Sequence, residues 1–180
     1  MRIAAVRGSF ALRGLCALVT LISSASPVAC ADLSTAAGFF PSAGPVTVEQ
    51  PQGNPPAAAI RGPDGKLLGH AFSTYEVSGS VGYAGRPLDI VAAITPEGIV
   101  AGAQIVAHEE PILVIGIPKD ALAAYVRNFV GFDTTAGAAL KPADGLARGP
   151  HAVAGATITS TVIRDAILRS ARAVSRSRGP

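Results

Sequence analysis

The chain has 180 residues, 49% apolar and 15% charged, which suits one folded domain with its own core and is too apolar for a disordered chain. Its formal charge of +3 overstates the basicity of the body, because Arg2, Arg7 and Arg13 fall in a leading stretch that contains no acid. Without them twelve basic residues face twelve acidic ones, and the remaining basic cluster of Arg169, Arg172, Arg176 and Arg178 has no interleaved aromatics, which excludes a nucleic-acid binder.

The first element has the form of a secretory signal. The three arginines make a positive n-region, Leu15 to Ile22 a short apolar run, and Ala29-Cys30-Ala31 an A-x-A cleavage site before Asp32. The apolar run is about half what a bilayer span needs. Residues 1–31 are therefore expected to be removed and the mature chain to lie in the periplasm. An uncleaved membrane anchor and a lipidated Cys30 are the alternatives. Cys16 and Cys30 both precede the cut, which leaves no thiol for a disulfide, a nucleophile or an iron–sulfur ligand.

Residues 32–65 are rich in Pro and Gly, without the fixed period of a repeat, and read as an extended lead-in with one short helix near Leu33 to Phe39. The regular domain is expected over 66–175, followed by a tail at 176–180. Alternation predicts a strand from Ala71 to Val77, a turn-rich link from Gly79 to Gly85, and a second strand from Leu88 to Ile94. Thr95-Pro96-Glu97-Gly98 is a turn, since Pro presets φ and Gly accepts positive φ. Ile99 to His108 then completes a hairpin, with Ile99, Ala101, Ala103, Ile105 and Ala107 on one face.

Pro118-Lys119-Asp120 opens a helix whose apolar stripe is Leu122, Tyr125, Val126, Phe129 and Val130, ended by Gly131. Residues 133–150 are loop. A last helix runs from about Ala156 to Ser175, burying Ile163, Ile167, Ala171 and Val174; Asp165 and Arg169 pair on the opposite face, where Arg172 and Arg176 also fall. The sum is an α+β domain, a largely antiparallel sheet with packed helices.

Three segments carry the chemistry. Pro150-His151-Ala152-Val153-Ala154-Gly155-Ala156-Thr157-Ile158-Thr159 resembles the flavinylation motif D-x-x-S/T-G-A-T/S of the FMN-binding domain family, found in NosR-like periplasmic flavin domains and in the RnfG and NqrC subunits. Gly155-Ala156-Thr157 matches in full. His151 stands in place of the motif's Asp, and Ala154 in place of its Ser or Thr. His108-Glu109-Glu110-Pro111-Ile112-Leu113-Val114-Ile115-Gly116-Ile117-Pro118 is similar to the NosR-type H-x-E-P-I-L-x-I-G-I-P stretch, and Gly82-Tyr83-Ala84-Gly85-Arg86-Pro87-Leu88-Asp89 to its G-Y-x-G-x-P-I-D segment. They occur in the family's order, over roughly residues 66–175.

The resemblance implies FMN joined by a phosphoester to Thr157 through an ApbE-type flavin transferase that uses FAD and a divalent metal. It also implies an FMN site of Tyr83, Glu110, Pro111, Ile112, Leu113, His151, Ala154, Gly155, Ala156 and Thr157. The implied role is electron transfer in support of nitrous oxide reductase during denitrification, with that enzyme or membrane electron-transfer proteins as partners. The alternative is a non-redox accessory or binding module whose altered motif stays unmodified.

The residues by themselves allow plainer readings. Thr157 or Thr159 could simply cap a helix. Glu109 and Glu110 suit a solvated strand end better than an acid pair, and His108 suits either a flavin contact or a sheet cap. His70, His108 and His151 lack metal-ligand spacing. Ser160 lacks the G-x-S-x-G elbow of a hydrolase. Tyr75, Tyr83 and Tyr125 read as core or rim residues.

Overall fold

Five strands form an antiparallel meander: β1 (Thr47–Val48), β2 (Ala58–Arg61), β3 (Leu67–Ser73), β4 (Asp89–Ile94) and β5 (Val100–Ala107), each hydrogen-bonded to the next. The computed structural model describes residues 31–83, 85–109, 118–135 and 151–179; residues 1–30, 84, 110–117, 136–150 and 180 lie outside them. Within the described residues the helices are α1 (Thr74–Ser78), α2 (Lys119–Arg127) and α3 (Thr157–Arg178). None is long and apolar enough to cross a membrane. The α+β expectation of an antiparallel sheet with packed helices holds.

Both faces of the sheet are covered, so β4 is buried along its whole length. Ile90, Ala92 and Ile94 join Phe72, Val100 and Ala103 in a core with Leu122, Tyr125, Val126 and Phe129 from α2 and its exit, and Ile163, Ile167, Ala171 and Val174 from α3. Val91 and Ala93, pointing the other way, pack with Ala58, Ile60 and Ala71 against Leu33 and Ala36. Those two residues belong to a 3-10 helix over Leu33–Phe39, where the short helix was expected. Its docking needs Gly102 in β5, because a Cβ there would lie 2.2 Å from the Phe39 ring.

Four sequence expectations are corrected. The first concerns 32–65, which does more than lead in: β1 and β2 arise there and extend the sheet.

The second is the strand expected from Ala71 to Val77, which begins earlier and stops at Ser73. Ser73 Oγ accepts the Glu76 N–H at 3.1 Å, starting α1, and Gly79 ends it with φ 61°. Helix capping by Ser-x-x-Glu outcompetes the alternation.

The third is the single apolar face expected on β5, which is broken by register shifts opposite Asp89/Ile90 and Ala93/Ile94. Ala103 and Ile105 face the helices, and the extra residue opposite Ala93/Ile94 lets Val100 join them.

The fourth is Val130, expected in the stripe of α2 but 52% exposed. After Arg127 the chain tightens into i→i+3 turns, with Phe129 N–H on Val126 O and Phe132 N–H on Phe129 O. Three residues per turn align Phe132, not Val130, with Phe129; their ring centroids lie 5.6 Å apart.

Candidate functional site

The start of α3 is shaped by its small residues. Gly155 has φ 79°, a value open to glycine without strain, and turns the chain just before the helix. Ala156 is the N-cap and is buried, but an alanine has no oxygen to offer, so the N-cap residue makes no side-chain cap. Thr157 thus occupies the first helical position with its side chain exposed.

The first N–H groups of a helix have no acceptor within it, and they carry the positive end of the helix dipole. A phosphate ester on Thr157 would sit against them, so the residues present fit a phosphoester-linked FMN. Thr157 carries no capping hydrogen bond of its own; Thr161 Oγ1 donates to its carbonyl at 2.9 Å.

The preceding loop is tied to the helix through one buried residue. Val153 N–H donates to Ser160 Oγ at 3.0 Å, Ala156 N–H to Val153 O at 2.9 Å, and Ser160 N–H to Ala156 O at 2.8 Å. From α2, the Tyr125 hydroxyl donates to Ser160 O at 3.0 Å. Burial pushes the Tyr125 phenol above its ordinary range against a smaller opposing effect of Arg164. Sequence reasoning weighed Ser160 only as a nucleophile. The available signal was a serine on the same side of the helix as the Ile163 and Ile167 stripe.

Beyond Thr157, α3 shows an arginine-rich face. An open groove of about 430 Å³ is lined by Thr161, Arg164, Asp165, Leu168, Arg169, Arg172 and Arg176. Arg169 and Asp165 are paired at 2.6 Å, as the i, i+4 spacing predicts. A neighbouring groove of about 360 Å³ lies between Ser78–Val81 and the Thr161–Arg169 stretch of α3.

The other expected site residues divide. His151, Ala154 and Gly155 are exposed in the loop that precedes Thr157. Tyr83 is 62% exposed at the tip of the Val81–Pro87 turn, a rim position. Arg86 of that turn approaches Glu109, two residues past the end of β5, at 3.6 Å with both side chains solvated. Two of the three family-like segments therefore meet in space. Glu110, Pro111, Ile112 and Leu113 lie outside the described residues. Among the described residues no group of three or more His, Cys, Asp or Glu side chains could hold a metal ion.

Fold and site together define an α+β domain that presents an exposed threonine at a helix start whose N-cap residue, an alanine, makes no side-chain cap. The chain is 39% identical over 173 residues to Protein NirI of Paracoccus denitrificans (strain Pd 1222), matching 93% of this chain and 24% of NirI. It is 32% identical over 115 residues to Regulatory protein NosR of Pseudomonas aeruginosa (63% of this chain, 16% of NosR), and 32% over 111 residues to Regulatory protein NosR of Stutzerimonas stutzeri (61% and 15%). The chain is homologous to NirI and NosR and spans about a quarter or less of their lengths. No family model matches it.

Proposed function

We propose that this chain is an exported flavin-carrier domain, with FMN held by a phosphoester on Thr157, serving electron transfer around nitrous oxide reductase in denitrification. The observation that carries the reading is the exposed Thr157 at a helix start whose N-cap, Ala156, makes no side-chain cap, after the Gly155 turn, in a chain homologous to NosR. Attachment is a group transfer without redox change. The Thr157 oxygen bonds to the FMN phosphorus of FAD, the bond from that phosphorus to AMP breaks, AMP leaves, and the hydroxyl proton is lost. An ApbE-type transferase with a divalent metal would supply this step. Bound FMN can pass one or two electrons and so bridge unlike donors and acceptors. The protein's own part is to attach the group, to face its phosphate with the helix N-terminus, and to present it to nitrous oxide reductase or membrane electron-transfer proteins.

A second reading rests on His151 and Ala154, which stand exposed where the flavinylation motif has Asp and Ser or Thr. In it the domain is a non-redox accessory module, and Thr157 stays unmodified.

The test is the intact mass of the mature protein exported alongside a flavin transferase, with Thr157→Ala and His151→Asp in parallel. A gain of FMN less one water, lost in Thr157→Ala, supports the carrier. A colourless native protein of unmodified mass refutes it, and flavin gained only in His151→Asp identifies the accessory module.

A further inference from the structure

The loop before Thr157 has little with which to hold itself. Ala152, Ala154 and Gly155 are exposed, and Val153 is half-buried. Neither alanines nor a glycine can anchor a backbone by their side chains, and glycine widens the conformations open to it. One backbone bond, from Ala156 N–H to Val153 O at 2.9 Å, closes its turn, and any side-chain hold must come from outside the loop.

Ser160 supplies that hold. A serine inside a helix ordinarily turns its hydroxyl back to the carbonyl four residues earlier, as Thr161 does to Thr157 and Ser78 does to Thr74, both at 2.9 Å. Ser160, with no exposed surface, instead accepts from Val153 N–H, seven residues away, at 3.0 Å. Its own N–H makes the first backbone bond of the helix, to Ala156 O at 2.8 Å, so the residue whose side chain holds Val153 is fixed by the helix itself. The Tyr125 hydroxyl, donating to Ser160 O at 3.0 Å, seats that residue against α2. Tyr125 is itself packed edge-on against Phe129 with centroids 5.3 Å apart.

We infer that Ser160, seated by Tyr125, is a positioning residue for the Thr157 acceptor: it holds residues 153–156 in the shape that presents the Thr157 hydroxyl to an incoming flavin donor. This rests on Thr157 being the acceptor. Group transfer needs the attacking oxygen in line with the phosphorus, and small misplacements of a reacting group lower its rate steeply.

The experiment measures FMN incorporation by intact mass, using the full mature chain, a purified ApbE-type transferase, FAD and magnesium. Ser160→Ala and Tyr125→Phe are compared with native protein and with Ser170→Ala. Ser170 is an equally buried hydroxyl on the same helix, bonded to Ser78 Oγ at 2.9 Å, and it controls for lost stability. All are assayed well below their melting temperatures. Ser160→Ala is expected to lower kcat of transfer about tenfold with KM for FAD unchanged, Tyr125→Phe to lower it less, and Ser170→Ala to leave it at the native rate.

Amide hydrogen exchange at Val153 gives a reading that needs no flavin: protected in the native chain, fast in Ser160→Ala. It also decides the matter, together with the isosteric Tyr125→Phe, where Ser160→Ala fails to fold. Native Val153 exchanging as fast as a free amide overturns the proposal. So does a Ser160→Ala protein modified at full rate, and that outcome leaves Thr157 as acceptor intact. A native chain that takes up no FMN sinks the acceptor reading and the positioning role together.

Discussion

His70 lies in β3 opposite Ala59 and Ile94, half-buried, with Phe72 on the same strand face. Sequence reasoning could say only that it lacks metal-ligand spacing; its surroundings come from residues far along the chain. Burial lowers its pKa, the Arg178 and Arg61 guanidinium groups lower it further, and Glu49 opposes them. Between that lowered value and the ordinary value of about 6.5, the unfolded chain binds the proton more readily than the folded one. The contribution of His70 to stability is therefore complete above about pH 6.5 and is lost as the pH falls through the folded value. The melting temperature is expected to drop between pH 7 and pH 5, and to drop less in His70→Gln. Parallel pH profiles for the two proteins would show that His70 has no such part.

At the scale of elements, the junction of β3 and α1 shows how local signals compete. Ser73 is wholly buried and works twice, accepting the Glu76 N–H and donating to Asp89 Oδ1 at 2.7 Å. The Tyr75 N–H also donates to Asp89 Oδ1, at 3.2 Å. Ser73→Ala removes a cap and one of the donors to a buried carboxylate, and is expected to destabilise by about 1–3 kcal/mol in denaturant unfolding. A change within error would mean that the cap has no energetic weight. The Ser-x-x-Glu spacing was present in the sequence, yet it competed with an apparent alternation that continued to Val77. The long C-terminal helix had no such rival. Its stripe of Ile163, Ile167, Ala171 and Val174 is fully buried as its spacing predicts, because α3 lies along the sheet with one face turned inward throughout.

At the scale of the whole molecule, the first and last described helices cover opposite faces of one sheet. The N-terminal 3-10 helix seats Phe39 on Gly102, while Arg178, at the last turn of α3, donates to the carbonyls of Gln52 and Pro55 in the link between β1 and β2. Gly102→Ala places a methyl where the Phe39 ring lies and is expected to cost about 1–3 kcal/mol. The penalty should largely vanish in a Phe39→Ala background, because the clash is then absent. Simple additivity of the two losses in a double-mutant cycle would show that the N-terminal segment is not seated on β5.

The sequence by itself determined what depends on near neighbours: the α+β class, the hairpin around Thr95–Gly98, the buried stripe of α3 and the place of Thr157 in the first turn of that helix. Each is written in spacing, capping or turn chemistry that operates within a few residues. Tertiary structure alone decided which residues meet across the sheet: Phe39 on Gly102, the arginines around His70, Arg86 beside Glu109, and Tyr125 on the Ser160 carbonyl. Those pairings follow from the register of β4 and β5 and from the seat of α3 on the sheet. They come from packing over long sequence separations, which no local pattern encodes.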